Sequence, residues 1–188
     1  MIHLRKSVVP VAILFLFAVQ STLLAFPVKD AQLILDNDYG RVAREAIKGS
    51  RKSVKVMLFE AVYYEKYPDT PSNMIIRELI AAQKRGVKVE VVLEQGESTD
   101  RTTQRNYFTA KLLAREGVDV TLDSPTVVTH AKFLVVDTGI VILGSTNWTY
   151  SALTTNHEVS VLIRSPEMGQ ALSDYFKKVK GSGRKFLP

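Results

Sequence analysis

Four polar side chains interrupt an apolar, β-branched stretch of the sequence at regular spacing. His130 and Lys132 are two residues apart, as are Ser145 and Asn147, so on extended chain each pair shares one face. Residues 137–139 lie between the two apolar runs and predict a hairpin turn in which Gly139 is able to take a positive φ. The hairpin would bring an imidazole, an ammonium, a hydroxyl and an amide to one end of a sheet. A nucleophile or acid, a cation and two hydrogen-bonding groups suit a phosphoryl group.

The pattern HxKxxxxD followed by GSxN resembles the signature of the phospholipase D superfamily. The matching positions are His130, Lys132, Asp137, Gly144, Ser145 and Asn147. Glu158 falls where that family places an acidic residue that holds the histidine. One motif in a short chain is similar to the small bacterial endonucleases of the superfamily and to its mitochondrial, membrane-anchored member. The resemblance covers residues 28–188 and implies a phosphodiesterase without identifying its substrate.

His130 and Lys132 are difficult to explain as purely structural residues. A lone histidine in an apolar strand is usually structural, but His130 is expected to share a face with Lys132. A buried lysine is costly unless it is paired, and a phosphate would pair it. Both residues are therefore predicted to be catalytic, with Lys132 also binding the substrate.

The other motif residues have more than one interpretation. Gly-Ser-Thr-Asn is ordinary turn chemistry, but the resemblance favours phosphate contact by Asn147, whereas Ser145 would either contact the substrate or support the site. Asp137 is interpreted as mainly structural, ordering the hairpin or a nearby cation. Glu158 would accept the Nδ1–H of His130 and fix its tautomer, and the alternative is a surface salt bridge.

Composition narrows the class of protein. The 188 residues are enough for one domain with a core, and the formal net charge of +6 favours polyanions such as nucleic acid or anionic lipid headgroups. The absence of cysteine excludes disulfides, cysteine nucleophiles and thiolate metal sites. The three histidines are scattered and no HExxH pattern occurs, so neither a metal nor a cofactor is expected.

The N-terminal segment predicts export. A basic head that includes Arg5 and Lys6 precedes an uncharged run at 7–28, which as a helix would reach about 33 Å, close to a hydrocarbon core of ~30 Å. Residues 1–28 are therefore either a cleaved signal peptide or a retained membrane anchor. Residues 29–188 would form a phospholipase D-like domain outside the cytoplasm, either periplasmic or secreted.

Strand and helix patterns alternate along the rest of the chain. Strands are predicted at 32–35, 53–63, 87–93, 118–122 and 158–163, and helices at 39–50, 72–85, 102–116 and 166–180. Ser72 is expected to cap the second helix, and the tail after Gly181 to be loose. The alternation, broken by the hairpin, predicts an α/β sandwich around a mixed sheet, and the resemblance implies αβαβα layering.

Basic and aromatic residues away from the motif offer further contacts. Most of the basic residues are interpreted as solvated helix faces and ends, and some would line a groove for a polyanion. They are Arg41, Lys48, Arg51, Lys52, Lys55, Lys84, Arg85 and Arg105. The aromatic residues available for stacking are Tyr63, Tyr64, Tyr67 and Trp148.

A single histidine cannot readily act as both nucleophile and leaving-group acid in an in-line displacement. Single-motif members of the superfamily pair two chains, so the resemblance implies a two-fold homodimer with both His130 side chains in one shared site. One His130 would form a phosphohistidine, and the other would protonate the leaving alkoxide. Lys132 and Asn147 would hold the non-bridging oxygens.

Three function classes remain open. Size, basicity and the single motif favour a nuclease acting on DNA or RNA. Export and a possible anchor favour a phospholipase D that hydrolyses phosphatidyl headgroup esters. A catalytically idle module that binds polyanions is disfavoured because every position of the motif is filled.

Overall fold

Strands rich in valine, isoleucine and leucine form one mixed sheet in the computed structural model, which describes residues 25–187. In chain order they are β1 (Asp30–Leu35), β2 (Ser53–Leu58), β3 (Lys88–Leu93), β4 (Asp119–Leu122), β5 (Phe133–Val136), β6 (Ile140–Gly144), β7 (Val159–Arg164) and β8 (Arg184–Lys185). Their order across the sheet is β1-β7-β6-β5-β2-β3-β4-β8. β2, β3 and β4 are mutually parallel, and the other neighbouring pairs are antiparallel. The predicted α/β class with a mixed sheet is confirmed.

Helices cover both faces of this sheet. They are α1 (Asp38–Lys48), α2 (Pro71–Lys84), α3 (Arg101–Arg115), α4 (Tyr150–Thr154) and α5 (Pro166–Ser182). Residues of α1 to α4 contribute to the larger core, and Phe176 of α5 packs in a second core on the opposite face. Alternate residues of β2 serve the two cores, with Val56 and Leu58 in the first and Met57 in the second. The central strands therefore carry apolar residues on both faces, interrupted by Lys55 in β2 and Glu90 in β3.

The β5–β6 hairpin forms as predicted, although its turn differs in detail. Phe133 pairs with Leu143, so the polar residues that flank the two strands meet at the open end. The positive φ angles belong to Asp137 and Thr138, at 49° and 58°. Gly139 does not use the positive φ that was expected to be available to it, because the turn from Val136 to Gly139 has that conformation at its two central residues.

Three other boundaries depend on contacts between distant segments. β2 ends at Leu58 instead of continuing to residue 63, and the chain then pairs with the segment after β6. α2 follows Thr70, and the hydroxyl of Ser72, which is not the cap, donates to the carbonyl of Val62 at 2.8 Å. The C-terminal tail is not loose, because β8 pairs with β4 and buries Phe186.

Candidate active site

The carboxyl ends of β2, β3 and β4 and the open end of the hairpin lie at the same edge of the sheet. β2 is antiparallel to β5, with Met57 opposite Phe133, so the residue that follows β2 faces the residues that precede β5. His130 and Lys132 lie in this preceding segment. The sequence suggested that they lie within a strand, but β5 begins only at Phe133. Phe59 follows β2 directly and contacts both of them. The sheet topology thus places the motif beside the carboxyl edge of the parallel strands.

Lys132 brings a buried cation to this edge. Its side chain is embedded, with 8% of the residue's surface exposed, and Nζ donates to the carbonyl oxygen of His130 at 2.7 Å. Nζ also lies 5.1 Å from the centre of the Phe59 ring. Burial lowers the pKa of Lys132, and the negative charge of Glu158 partly opposes that effect. An ammonium has three donors, so those not used by the carbonyl are suited to anionic oxygens of a substrate.

His130 presents its imidazole at the surface against an aromatic wall. The residue is exposed, and its ring lies 4.9 Å from the ring of Phe59, centroid to centroid, with a tilt of 58°. Sequence reasoning missed Phe59, because an apolar residue at the end of a strand resembles any core residue. The antiparallel pairing of β2 with β5 is the signal that could have identified it.

Two buried carboxylates fix the segment that carries His130. The backbone N–H of Thr129 donates to Glu94, and its hydroxyl donates to Asp123. Glu94 and Asp123 are both buried and follow β3 and β4 directly. Burial raises the pKa of Glu94, and the nearby Asp123 adds to the effect, although the bond from Thr129 opposes it. Neither acid was predicted from the sequence, although each directly follows a buried strand.

Asn147 lies between two anchored neighbours. The hydroxyl of Thr146 shares a hydrogen bond with that of Ser160 at 3.0 Å, and the indole of Trp148 donates to the phenol oxygen of Tyr39 at 3.2 Å. The amide oxygen of Asn147 is buried and has no hydrogen-bond partner among the described residues. An amide oxygen only accepts hydrogen bonds, so the NH2 group of Asn147, which donates, is the part suited to an anionic oxygen of a substrate.

Ser145 supports the site through Glu158. Its hydroxyl donates to the carboxylate of Glu158 and accepts from the backbone N–H of Val159 at 3.1 Å. The amide of Asn156 donates to the other carboxylate oxygen at 3.1 Å. Within the described chain Glu158 makes no hydrogen bond to His130, in contrast to the expectation from the sequence. Its two carboxylate oxygens accept from Ser145 and Asn156 instead.

Asp137 lies at the other end of the hairpin, away from this group. Its carboxylate accepts the backbone N–H groups of Arg51, Lys52 and Ser53 at 2.7–2.9 Å. Burial alone would raise the pKa of Asp137, but these bonds outweigh burial and hold the pKa below its ordinary value. This geometry agrees with the structural interpretation of Asp137, which anchors the turn to the start of β2.

Two other expectations about binding residues change. Trp148 is buried in the core, so its predicted availability for stacking is wrong. Several of the basic residues pair with carboxylates, which leaves fewer of them to line a groove for a polyanion. Such pairs are Arg41 with Asp38 and Glu45, Lys84 with Glu116, Arg85 with Glu78, and Arg105 with Glu60. His157 is exposed at the sheet edge, with Nδ1 3.6 Å from Asp36.

Within residues 25–187 no group of three histidine, cysteine or acidic side chains is arranged to hold a metal ion. No helix in the same range has the length and apolarity to cross a bilayer. The predicted signal or anchor at 1–28 lies almost entirely outside the described residues.

Comparison with known sequences agrees with the motif. The family described as "Cardiolipin synthase, PLD-like domain", where PLD is phospholipase D, matches residues 43–180. The chain is 34% identical over 122 residues to a phospholipase D of Rickettsia prowazekii, which covers 63% of this chain and 56% of that protein. It is 33% identical over 115 residues to a mitochondrial cardiolipin hydrolase of Danio rerio, covering 57% of this chain and 46% of the relative. The chain thus spans about half the length of these curated relatives.

Comparison with solved structures agrees with the fold. Nuc from Salmonella typhimurium, described as a phospholipase D family member, superimposes with a TM-score of 0.70 at 24% sequence identity. The match covers 85% of this chain and 100% of Nuc. The sheet order and the position of the hairpin are therefore those of a known fold.

Proposed function

The chain belongs to the phospholipase D-like family, and we propose that it is a metal-independent phosphodiesterase that cleaves DNA or RNA endonucleolytically. The observation that carries this proposal is the buried ammonium of Lys132 beside the exposed imidazole of His130. A desolvated cation stabilises the charge of a phosphorane far more than a solvated one does. The net charge of +6 and the resemblance to small single-motif endonucleases favour nucleic acid as the substrate.

The reaction has two displacements at phosphorus. The neutral His130 of one chain attacks, so that a P–N bond forms while the P–O bond to the leaving group breaks. The protonated His130 of the partner subunit gives its proton to the leaving alkoxide and then takes a proton from water. That water attacks phosphorus, breaks the P–N bond and releases the phosphate monoester. Lys132 and Asn147 hold the non-bridging oxygens through both steps.

A two-fold dimer supplies the second histidine. An apolar strip of Leu33, Leu35 and Val159 is exposed on the face of β1 and β7 that α5 leaves open. Val159 directly follows Glu158, so this strip borders the candidate site. Burying it against the same strip of a second chain would be favourable and would place two site edges together. Two such sheets with their helices would give the αβαβα layering that the motif implies.

A phospholipase D activity on phosphatidyl headgroup esters is the second candidate. It is favoured by the identity to relatives named phospholipase D and mitochondrial cardiolipin hydrolase. The uncharged segment at 7–28 also supports export to the periplasm or beyond, with attachment to a membrane if the segment is retained. A membrane-bound enzyme would meet lipid headgroups directly.

A direct comparison of substrates tests the proposal. The full chain, purified in mild detergent, is given plasmid DNA, single-stranded RNA and labelled phosphatidylcholine in mixed micelles, all with excess EDTA. Cleavage of nucleic acid that falls steeply with added salt, without release of choline, is the expected result. Release of choline while the nucleic acid stays intact would contradict the nuclease proposal and support the phospholipase D activity. The His130→Ala chain prepared in parallel controls for contaminating enzymes.

A further inference from the structure

A cavity lined by tyrosines lies beyond the catalytic group. Tyr64, Tyr67, Thr70 and Tyr150 surround a volume of about 410 Å³. Tyr67 and Tyr150 are 66% and 51% exposed, so their rings are accessible from solvent. Large aromatic residues grouped at a surface commonly mark a binding site.

Two chain segments connect this cavity to the catalytic edge. The segment after β2 runs parallel to the segment after β6, with Ala61 beside Trp148. The backbone N–H of Trp148 donates to the carbonyl of Glu60, and that of Val62 to the carbonyl of Trp148, both at 2.9 Å. Asn147 lies at the catalytic end of the second segment, and Tyr150 lies at its far end. Three residue-to-residue steps of extended chain separate them, or about 10 Å at ~3.3 Å per step.

The loop that carries Tyr64 and Tyr67 is held in place by the buried side-chain amide of Asn73. The side chain of Asn73 accepts from the backbone N–H of Tyr64 at 2.8 Å and donates to the carbonyls of Tyr64 and Tyr67 at 2.9 and 3.1 Å. The phenol oxygen of Tyr64 accepts the backbone N–H of Tyr150 at 3.1 Å. The backbone at Tyr64 and Tyr67 and the side chain of Tyr64 are therefore held in place before a ligand binds, which favours affinity.

Cations adjoin the tyrosines on the side of α3. The neighbouring groove is lined by Tyr63, Phe108, Arg101 and Arg105, and Arg77 donates to the phenol oxygen of Tyr63 at 3.5 Å. Within residues 25–187, Arg77 and Arg101 are exposed and form no ion pair, whereas Arg105 pairs with Glu60. Glu65 is the acidic residue that lines the adjoining part of this surface. Aromatic faces next to free guanidinium groups fit a ligand with alternating bases and phosphates.

We propose that Tyr64, Tyr67 and Tyr150 form a stacking subsite that binds a base of single-stranded nucleic acid next to the cleaved phosphodiester. This inference rests on the proposed nuclease function and adds the strandedness of the substrate. A base in a single strand can leave its neighbours and stack on a ring, whereas a base in a duplex stays inside the helix. The subsite would therefore make cleavage of single strands faster than cleavage of duplexes.

The test compares leucine and phenylalanine variants of the full chain. Tyr67→Leu and Tyr150→Leu remove an exposed ring each, and we expect kcat/KM on a single-stranded oligonucleotide to fall about tenfold per ring. The rate on a duplex of the same sequence should change little. Tyr67→Phe keeps the ring, so its single-strand rate should lie nearer to wild type than to Tyr67→Leu. Tyr175→Leu removes a ring of similar exposure from α5 and is the matched control.

A strand with an abasic position beside the cleaved bond identifies the contact. Wild type should cleave the abasic strand more slowly than the intact strand. Tyr67→Leu should cleave the two strands at similar rates, because it already lacks the stacking contact. If both leucine variants cut single strands as fast as wild type, the proposed subsite is wrong, although the proposed nuclease activity is still supported. If wild type cuts no nucleic acid, the proposed function fails and this inference fails with it. If the leucine substitutions slow only lipid hydrolysis, the cavity binds a lipid headgroup, and the proposed base-stacking subsite is wrong.

Discussion

The ammonium of Lys132 donates a hydrogen bond to the backbone carbonyl of His130 at 2.7 Å. In the proposed mechanism, this contact links the charge that would stabilise a phosphorane to the backbone of the residue that would attack phosphorus. The ring of Phe59 contacts both residues and limits the access of water to the lysine. One short segment before β5 therefore carries both the proposed nucleophile and its proposed electrostatic partner.

Replacing Lys132 by methionine separates catalysis from stability. We expect Lys132→Met to reduce turnover by at least ~10²-fold, because the developing charge on phosphorus loses its desolvated partner. Near neutral pH the melting temperature should equal or exceed that of wild type, since the variant no longer buries an ammonium. Turnover and thermal melting, measured on the same samples, check both parts.

The stability difference should depend on pH in one direction. Burial holds the pKa of Lys132 below its ordinary value of 10.5, so the ammonium lowers stability at every pH below the folded-state pKa. This penalty fades as pH rises from that pKa to 10.5, and wild type should approach the variant there. Lys55 is the matched control because it is 9% exposed, has a pKa lowered by burial and lies within β2. Equal loss of turnover in Lys55→Met and Lys132→Met would show that Lys132 has no special role.

The clamp on Thr129 can be tested with a pair of variants. Thr129→Val removes the hydroxyl that donates to buried Asp123, and an unpaired buried group costs about 1–3 kcal/mol of unfolding free energy. The turnover number should also fall, because His130 is the next residue. Thr129→Ser keeps the hydroxyl and should retain more of both. Denaturant unfolding and turnover that are the same in the two variants would argue against the clamp.

The sequence predicts those parts of this site that depend on local pattern. Alternation and a turn between two apolar runs are enough to place Lys132 near Ser145, because a hairpin joins neighbouring segments of the chain. Phe59, Glu94 and Asp123 reach the site through the order β5-β2-β3-β4, which joins segments far apart in sequence. No local period encodes that order, and these three residues were missed.

The same reasoning explains the other errors. Trp148 looks like a surface residue beside a polar turn, but the distant Tyr39 completes its burial. β8 has two residues, too few to show a period, and it is defined by its pairing with β4. Glu158 was expected to orient His130, and its actual neighbours follow from the pairing of β6 with β7.

Hydrolysis should persist in excess EDTA. Lys132 and the histidines provide the positive charge and the proton transfers, so the proposed reaction has no step for a metal ion. Rates measured before and after dialysis against EDTA should agree within about twofold once ionic strength is matched. Complete loss of rate that magnesium or zinc restores would require a different mechanism.

A charge placed in the apolar strip should disrupt the dimer. Leu33 is 59% exposed on β1, and Leu33→Asp would force two carboxylates into the proposed interface. Sedimentation should show a monomer, and activity should fall at low protein concentration. Leu187→Asp adds the same charge at an exposed apolar residue outside the strip and should leave the dimer intact. If the Leu33→Asp protein is dimeric and fully active, the dimer interface does not include this strip.

The most direct measurement of the shared site mixes two kinds of chain. Wild-type and His130→Ala chains are combined in equal amounts and allowed to exchange, with exchange verified by differently tagged subunits. If each site needs a His130 from both subunits, a mixed dimer is inactive, and random pairing leaves about a quarter of the dimers active. Activity per total chain should then be about a quarter of that of pure wild type. A value near one half, with exchange complete, would mean that each chain carries its own full site and would contradict the shared pair of histidines.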